Sequence, residues 1–196
     1  MNKPANIKHK QPEAGRRRRG AFALYCAGKV ASYDWRHTLE GLDNGRLRAL
    51  EAPALIAPDV LYVGPFFTTT DHGCTHNNGD HGVAAVNPAW PDSGEPMGSI
   101  IEPTPTHAAV AERSLRGIDA ADVVVVYAQR DFDTAHGTHA ELGAACAMGK
   151  MIIAFVDRDV TEQVRRATWF PLTLADRTVY GTPCLEVTRR IWRSRL

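Results

Sequence analysis

Short apolar runs alternate with polar segments of helical period along this chain. The strand-like runs are 21–27 (AFALYCA), 61–67 (LYVGPFF), 123–127 (VVVVY) and 151–156 (MIIAFV). Nearly every position of the 123–127 run is apolar, which is typical of a strand with helices on both faces. A further short run at 178–180 predicts an edge strand.

The segments between these runs predict helices. Residues 106–121 place Ala111, Leu115, Ile118 and Ala121 at helical spacing. Further helices are expected over 138–148, 160–168 and 185–195, with a short one beginning near residue 34. Strands that alternate with helices indicate a parallel sheet with right-handed crossovers. We therefore expect a single α/β domain over residues 21–196, preceded by a tail at 1–20.

Composition adds the broad class of protein. Hydrophobic residues make up 44% and charged residues 23%, which is ordinary globular usage. No run of 18 apolar residues occurs, and no apolar segment follows the basic N-terminus, so we expect neither a membrane span nor a secretory signal. The four cysteines form no disulfide-like pattern, which predicts a cytoplasmic protein.

Charge is unevenly distributed. The net charge of +1 divides into +6 over residues 1–20 and −5 over the remainder. The folded part therefore makes a poor nucleic-acid surface. The arginines at 16–19 form either a basic arm for phosphate backbones or a solvated tail.

Segment 131–150, DFDTAHGTHAELGAACAMGK, follows the most apolar run. It predicts a loop and then a helix that opens at Gly137-Thr138 with Glu141 in its first turn. Such a βα junction lies at the carboxyl edge of a parallel sheet, where α/β folds bind ligands. Glu141 is the candidate nucleophile. The alternative is a capping box, in which Thr138 caps the helix and Glu141 bonds back to its amide.

Four polar residues surround this candidate. Asp131 and Asp133 lie in the loop, where a carboxylate could hydrogen-bond a ligand or protonate a leaving group. Their alternative is ordinary turn chemistry. His136 and His139 flank Gly137-Thr138 and could exchange a proton with a ligand near neutral pH, although loop histidines are also commonly solvated.

The end of the first strand offers a second group of candidates. Gly28-Lys29 could present backbone amides and an ammonium to a phosphate or a sugar hydroxyl. Downstream of it, Asp34, Trp35 and Arg36 are candidate substrate-binding residues, because Trp35 could stack on a base and Arg36 could pair with a phosphate. The alternative places Trp35 in the core of an amphipathic helix.

The segment 71–82, DHGCTHNNGDHG, is rich in possible metal ligands. Zinc accepts such nitrogen, sulfur and oxygen donors, but the spacing matches no established zinc motif. We favour a substrate-binding loop that includes Asp71 and His72, and we expect no metal and no cofactor.

Three ordered motifs resemble those of the nucleoside 2-deoxyribosyltransferase-like superfamily. They are Tyr25-Cys26-Ala27-Gly28-Lys29, Leu115-x-x-Ile118-x-x-Ala121-Asp122, and Gly137-Thr138-x-x-Glu141-Leu142-Gly143-x-Ala145 followed by Gly149-Lys150. The resemblance implies a Rossmann-like or flavodoxin-like domain with about five parallel strands and helices on both faces. It also implies a homo-oligomer that cleaves or exchanges the N-glycosidic bond of a small-molecule nucleoside or nucleotide, with Glu141 as nucleophile.

One position departs from the superfamily pattern. Its members usually carry an Asp immediately before the Leu of the second motif, where Ser114 stands here. Glu112 is a candidate substitute, whereas Asp119 should point elsewhere. The departure, together with Lys29, favours hydrolysis of a phosphorylated substrate over deoxyribosyl transfer. Two alternatives are a sensing module that binds a nucleotide or NAD derivative without turnover, and a zinc hydrolase built on residues 71–81.

Overall fold

The computed structural model describes residues 21–28, 35–42, 50, 52–66 and 107–196. The expected tail at 1–20 lies outside these described residues. So do four candidate site residues and the His/Cys-rich segment 71–82. The four are Lys29, Asp34, Asp71 and His72.

Six strands form one sheet in the described part of the chain. They are β1 (Phe22–Ala27), β2 (Ala54–Ala57), β3 (Val60–Gly64), β4 (Val123–Ala128), β5 (Met151–Val156) and β6 (Arg177–Tyr180), in the order β2-β3-β1-β4-β5-β6. All neighbours pair in parallel except β2 and β3, which are antiparallel. The predicted parallel α/β sheet is confirmed, with β6 at one edge. The antiparallel edge strand β2 was not predicted, because four residues are too few to show a period.

Five helices connect or flank these strands within the same described ranges. They are α1 (His107–Ala120), α2 (His136–Ala147), α3 (Glu162–Ala167), α4 (Trp169–Thr173) and α5 (Leu185–Arg193), with 3₁₀ turns at Trp35–Thr38 and Phe132–Thr134. The helix predicted over 160–168 begins later, because Thr161 is its N-cap and its Oγ1 accepts the Val164 N–H at 3.3 Å. The short helix α4 was not predicted.

The central strands are buried on both faces, as the continuous apolar runs indicated. Every residue of β1, β4 and β5 is buried. Alternate residues enter two separate cores, so that Leu24 and Cys26 pack with Leu185 while Ala23 and Tyr25 pack with Leu142. Tyr25 therefore faces the side of the sheet that α1 and α2 cover.

Part of the predicted apolar stripe of α1 is buried, since Ala121 is 3% exposed. Leu115 is 43% exposed, whereas Ile118 is fully buried. The close contact is made at Gly117, where a Cβ would lie 2.8 Å from Tyr25 Cε2 and 2.9 Å from the Val63 carbonyl oxygen. The missing side chain of Gly117, rather than an apolar stripe through Leu115, sets the approach of this helix.

The strand order fixes where a ligand site is expected. The first parallel strand, β1, lies between the second, β3, and the third, β4. This is the flavodoxin-like order, and its topological switch point lies between β1 and β4. Open α/β sheets bind ligands outside the carboxyl ends of the strands at such a point. The residues that follow β1 and β4 are therefore the ones to inspect.

Candidate functional site

Glu141 contacts the strand on the other side of the switch point. It lies on α2, which follows β4, and its side chain is partly buried. The Tyr25 hydroxyl, on β1, donates to Glu141 Oε1 at 2.6 Å. The bond joins residues 116 positions apart in sequence. The two strands of the switch point are thus tied together through the candidate nucleophile.

Helix α2 begins earlier than predicted, and this removes the capping-box alternative. Its first residue is His136, and its N-cap, Ala135, makes no side-chain capping bond. Thr138 is a buried residue of the first turn instead of the cap. Glu141 is the sixth residue of the helix, beyond the first turn in which the helix dipole acts most strongly. The prediction that Glu141 lies in the first turn was wrong, and its carboxylate bonds Tyr25 instead of a helix amide.

Burial dominates the electrostatics of Glu141. Desolvation raises the pKa of its carboxyl above the ordinary value, while the Tyr25 hydrogen bond, the Arg36 charge and a hydrogen bond from Ser114 lower it. Desolvation and the neighbouring carboxylate also raise the pKa of Tyr25 well above its usual range. Tyr25 therefore stays protonated at all working pH values and acts as a donor. In the sequence, Tyr25 stands out only as part of a motif, so its role as the partner of Glu141 was missed.

Arg36 and Trp35 are both buried behind the end of β1. The Arg36 Nε donates to the Cys26 carbonyl at 2.9 Å, and Nη2 donates to the Gly28 carbonyl at 2.7 Å. Trp35 is 3% exposed and meets Tyr127 edge-on at 5.9 Å. A phosphate or a base would need these side chains at an open surface. Their placement therefore corrects the expected phosphate-pairing and base-stacking roles and favours the core alternative for Trp35.

Gly28 shares this crowded corner. A Cβ on residue 28 would lie 2.7 Å from Trp35 Nε1 and 3.3 Å from Arg36 Nη2. The absence of a side chain therefore has a packing reason, apart from any contact between its backbone and a ligand.

A cleft of about 450 Å³ is lined by Tyr25, whereas Glu141 itself is not among its lining residues. Its walls include both side chains that hydrogen-bond Glu141, together with the aromatic ring of Phe66 and two arginines of α1. These five residues are Tyr25, Ser114, Phe66, Arg113 and Arg116. A cavity of this size, with apolar walls and a few polar groups, is typical of small-molecule sites.

The remaining candidates of the third motif are spread around the start of α2. Asp131 is exposed, and Asp133 is half-buried in the 3₁₀ turn before the helix. His136 is exposed, whereas His139 packs edge-on against Phe132 at 4.9 Å. Gly137 is exposed, with no atom within 4 Å of a built Cβ. Among the described residues, none of these groups contributes to the pKa of Glu141.

The departure at Ser114 has a structural counterpart. Its side chain reaches Glu141 and Tyr25, where the superfamily's Asp would have added a second carboxylate. Glu112 is exposed and pairs with Arg116, and Asp119 is exposed and lies near Lys150. Neither carboxylate therefore replaces the missing Asp beside Glu141.

Over the described ranges, His, Cys, Asp and Glu side chains form no cluster of three that could hold a metal ion. The segment 71–81 lies outside those ranges, so the zinc alternative stays a hypothesis. No helix in the described part of the chain is both long and apolar enough to cross a membrane.

Comparison with known proteins agrees with the second and third motifs. The model of the nucleoside 2-deoxyribosyltransferase family matches residues 74–168. This range contains Ser114 and Glu141 but begins after Tyr25, which only the fold brings to the site. No curated protein and no solved structure matches the chain significantly. The resemblance to the nucleoside 2-deoxyribosyltransferase-like superfamily is confirmed.

Proposed function

From this superfamily resemblance, which points to an enzyme of glycosyl transfer, we propose that the chain breaks the N-glycosidic bond of a nucleoside or nucleotide with Glu141 as nucleophile. The observation that carries the proposal is the Tyr25–Glu141 hydrogen bond of 2.6 Å at the switch point of the sheet. The two side chains that hydrogen-bond this carboxylate, Tyr25 and Ser114, line a cleft of small-molecule size. No other carboxylate in the described part of the chain combines this burial with a raised pKa.

The chemistry has two displacements at C1′ of the sugar. In the first, a Glu141 oxygen forms a bond to C1′ while the C1′–N bond breaks and its electron pair leaves with the base. A proton from solvent or from a side chain at the site neutralises that base. In the second, water or another base attacks C1′ and the Glu141–C1′ bond breaks. The proton of the attacking group returns to solvent, and the carboxylate is restored.

Tyr25 supports the first displacement by orientation. Its hydroxyl donates to Glu141 Oε1, and this bond fixes the orientation of the carboxylate. Because the pKa of Tyr25 is raised, the hydroxyl cannot ionise and repel the carboxylate. Desolvation of Glu141 makes the anion less stabilised by water and therefore a stronger nucleophile.

The cleft favours a substrate that carries negative charge. Arg113 and Arg116 both line it, on the same helix as Ser114. Guanidinium groups are well suited to phosphate. We therefore expect nucleoside monophosphates to be better substrates than nucleosides. Water is the expected acceptor, because Ser114 takes the place of an Asp that helps hold sugar and base in the superfamily's transferases.

The test is product analysis by chromatography. The full chain is incubated with a panel of nucleosides and their monophosphates, with and without an acceptor base. Free base without acceptor means hydrolysis, and a new nucleoside with acceptor means transfer. Trapping the glycosyl-enzyme and locating the sugar on Glu141 by peptide mass spectrometry would identify the nucleophile.

The matched variants are Glu141→Ala and Glu162→Ala. Glu162 is a glutamate on the exposed face of α3, paired with Arg165 and Arg166, so its loss should leave turnover unchanged. Turnover in Glu141→Ala equal to that of wild type would overturn the proposal. Ligand binding in both variants without turnover in wild type would favour the sensing module instead.

A further inference from the structure

The guanidinium of Arg36 is the most deeply buried charge in the described part of the chain. Its side chain is 0% exposed. Burying an ion is costly unless hydrogen bonds compensate for the lost water. Here two backbone oxygens do so, the carbonyls of Cys26 and Gly28, at 2.9 and 2.7 Å. A bonding pattern of this kind in the middle of a core calls for a reason other than stability.

The two carbonyls lie directly after Tyr25. Cys26 is the next residue of β1, and Gly28 follows the end of that strand. A planar guanidinium that bonds both of them fixes the direction in which the chain leaves the sheet. Tyr25 is thereby held between this clamp on one side and Gly117 of α1 on the other. The position of its hydroxyl, and so of Glu141, depends on both.

Arg36 also acts on Tyr25 and Glu141 through its positive charge. The Arg36 charge lowers the pKa of Glu141 and also that of Tyr25. The groups that face Glu141 from the packed elements are Tyr25 of β1, Ser114 of α1 and Arg36 of the 3₁₀ turn. Of these, only Arg36 is cationic, and its charge opposes the effect of desolvation on the pKa of the carboxyl.

We propose that Arg36 is a positioning residue, which clamps the end of β1 behind Tyr25 and so holds the Tyr25 hydroxyl against Glu141. Its Nε and Nη2 donate to the Cys26 and Gly28 carbonyls and its side chain is buried, so the role that we propose needs no contact with the substrate. Its effect on turnover rests on the proposed function. Its effect on the carboxyl of Glu141 is independent of any substrate.

The experiment compares Arg36→Lys with Arg36→Met. Lysine keeps the charge but cannot bond two carbonyls with a planar fork, whereas methionine loses both. The carboxyl of Glu141 is titrated by NMR in protein carrying ¹³C-labelled glutamate, with its signal assigned through Glu141→Gln. The pH profile of kcat/KM is measured alongside on the best monophosphate.

The two variants should separate the two roles. In Arg36→Met the Glu141 pKa rises, and the acid limb of kcat/KM moves to higher pH. In Arg36→Lys the titration stays close to that of wild type, but kcat falls by roughly 10²-fold because Tyr25 and Glu141 are displaced. The control is Arg189→Met, because Arg189 bonds Asp59 and Glu40 far from Glu141. Arg189→Met should lower the free energy of unfolding, but it should change neither the Glu141 titration nor the pH profile of kcat/KM.

Specific results would overturn the proposal. A folded Arg36→Met with the wild-type Glu141 titration refutes the charge role, and Arg36→Lys with wild-type kcat refutes the clamp. If Arg36→Met does not fold, Arg36→Lys decides alone, and a raised Glu141 pKa in it counts against the charge role. If wild type turns over no substrate, the proposed function fails, whereas the NMR titration still tests Arg36.

Discussion

Two tyrosine–carboxylate pairs lie towards the carboxyl ends of the central strands. Tyr25 donates to Glu141 at 2.6 Å, and Tyr127 donates to Asp157 at 2.5 Å. Both tyrosines are buried residues of parallel strands, and desolvation raises the pKa of each, that of Tyr127 to about 12. The carboxylates nevertheless shift in opposite directions. The pKa of Glu141 is raised, whereas that of Asp157 is lowered.

Solvation explains the difference. The Tyr127 hydrogen bond is the largest influence on Asp157, and the Asp159 N–H adds a second bond at 3.0 Å. Glu141 has its tyrosine bond too, but desolvation outweighs it. The tyrosine hydrogen bond therefore lowers the pKa of Asp157, which lies close to water. At Glu141 it only partly offsets the desolvation that raises the pKa. Carboxyl groups whose pKa is strongly raised by desolvation cluster at functional sites, where a reactive group depends on the shift.

Removing the two carboxylates should give the largest contrast. Glu141→Gln is expected to lower kcat/KM by roughly 10⁴-fold, because an amide cannot act as the nucleophile. The fold should persist, since the amide oxygen still accepts from Tyr25. Asp157→Asn should leave kcat/KM close to wild type and cost about 1 kcal/mol of unfolding free energy. Steady-state kinetics and urea unfolding of both variants test this, and a catalytic defect in Asp157→Asn as large as in Glu141→Gln would erase the distinction.

A glycine pair tests whether packing around Tyr25 matters as much as its hydrogen bond. In Gly117→Ala the new methyl group meets the Tyr25 ring at 2.8 Å and the Val63 carbonyl at 2.9 Å. Because backbone oxygen cannot move aside easily, we expect a loss of about 1–3 kcal/mol in unfolding free energy, together with reduced kcat.

Gly143→Ala is the matched control for this substitution. Residue 143 is also helical and exposed, with nothing within 4 Å of a built Cβ. Alanine should stabilise α2 there by about 0.5–1 kcal/mol. Thermal unfolding measures both changes, and equal effects at the two glycines would contradict the close contact between α1 and Tyr25.

The sequence predicted the frame of this site better than its contacts. The apolar runs at 123–127 and 151–156 gave the central strands, because burial on both faces leaves no polar position. The motif around Glu141 located the candidate nucleophile. Its partner Tyr25 could not be found in the same way, since it lies 116 residues away and only the strand order brings the two together.

Local signals also gave wrong contacts. Thr138 and Glu141 match a capping box, but the helix starts at His136 and leaves both residues beyond the cap. Trp35 and Arg36 have the composition of a nucleotide-binding pair, yet both are buried behind β1. Whether a polar side chain faces a ligand or a backbone carbonyl is decided by tertiary packing, which spacing in the sequence does not record.

Removing the hydroxyls of Tyr25 and Tyr127 should also affect activity at one pair only, but less than removing the carboxylates. In Tyr25→Phe, Glu141 loses a bond that lowers its pKa, so the carboxyl pKa rises further and the acid limb of kcat/KM moves to higher pH. In Tyr127→Phe, the pKa of Asp157 returns towards its ordinary value, and the activity profile should not move. Profiles of both variants from about pH 4 to 9 cover the ordinary carboxyl range and the neutral range. A shift of the kcat/KM profile in Tyr127→Phe but not in Tyr25→Phe would point to Asp157, instead of Glu141, as the catalytic carboxylate.

The pH dependence of stability should show the smallest contrast, and its sign differs between the two carboxylates. Folding raises the pKa of Glu141, so its contribution to stability is full below the ordinary pKa and is lost as pH rises through the folded value. Folding lowers the pKa of Asp157, so its contribution is present above the ordinary pKa and is lost as pH falls through the folded value. Unfolding free energies of wild type relative to Glu141→Gln should therefore increase towards acid pH, whereas those relative to Asp157→Asn should decrease. Urea titrations at several pH values measure both slopes, and slopes of the same sign would mean that burial does not separate the two pairs.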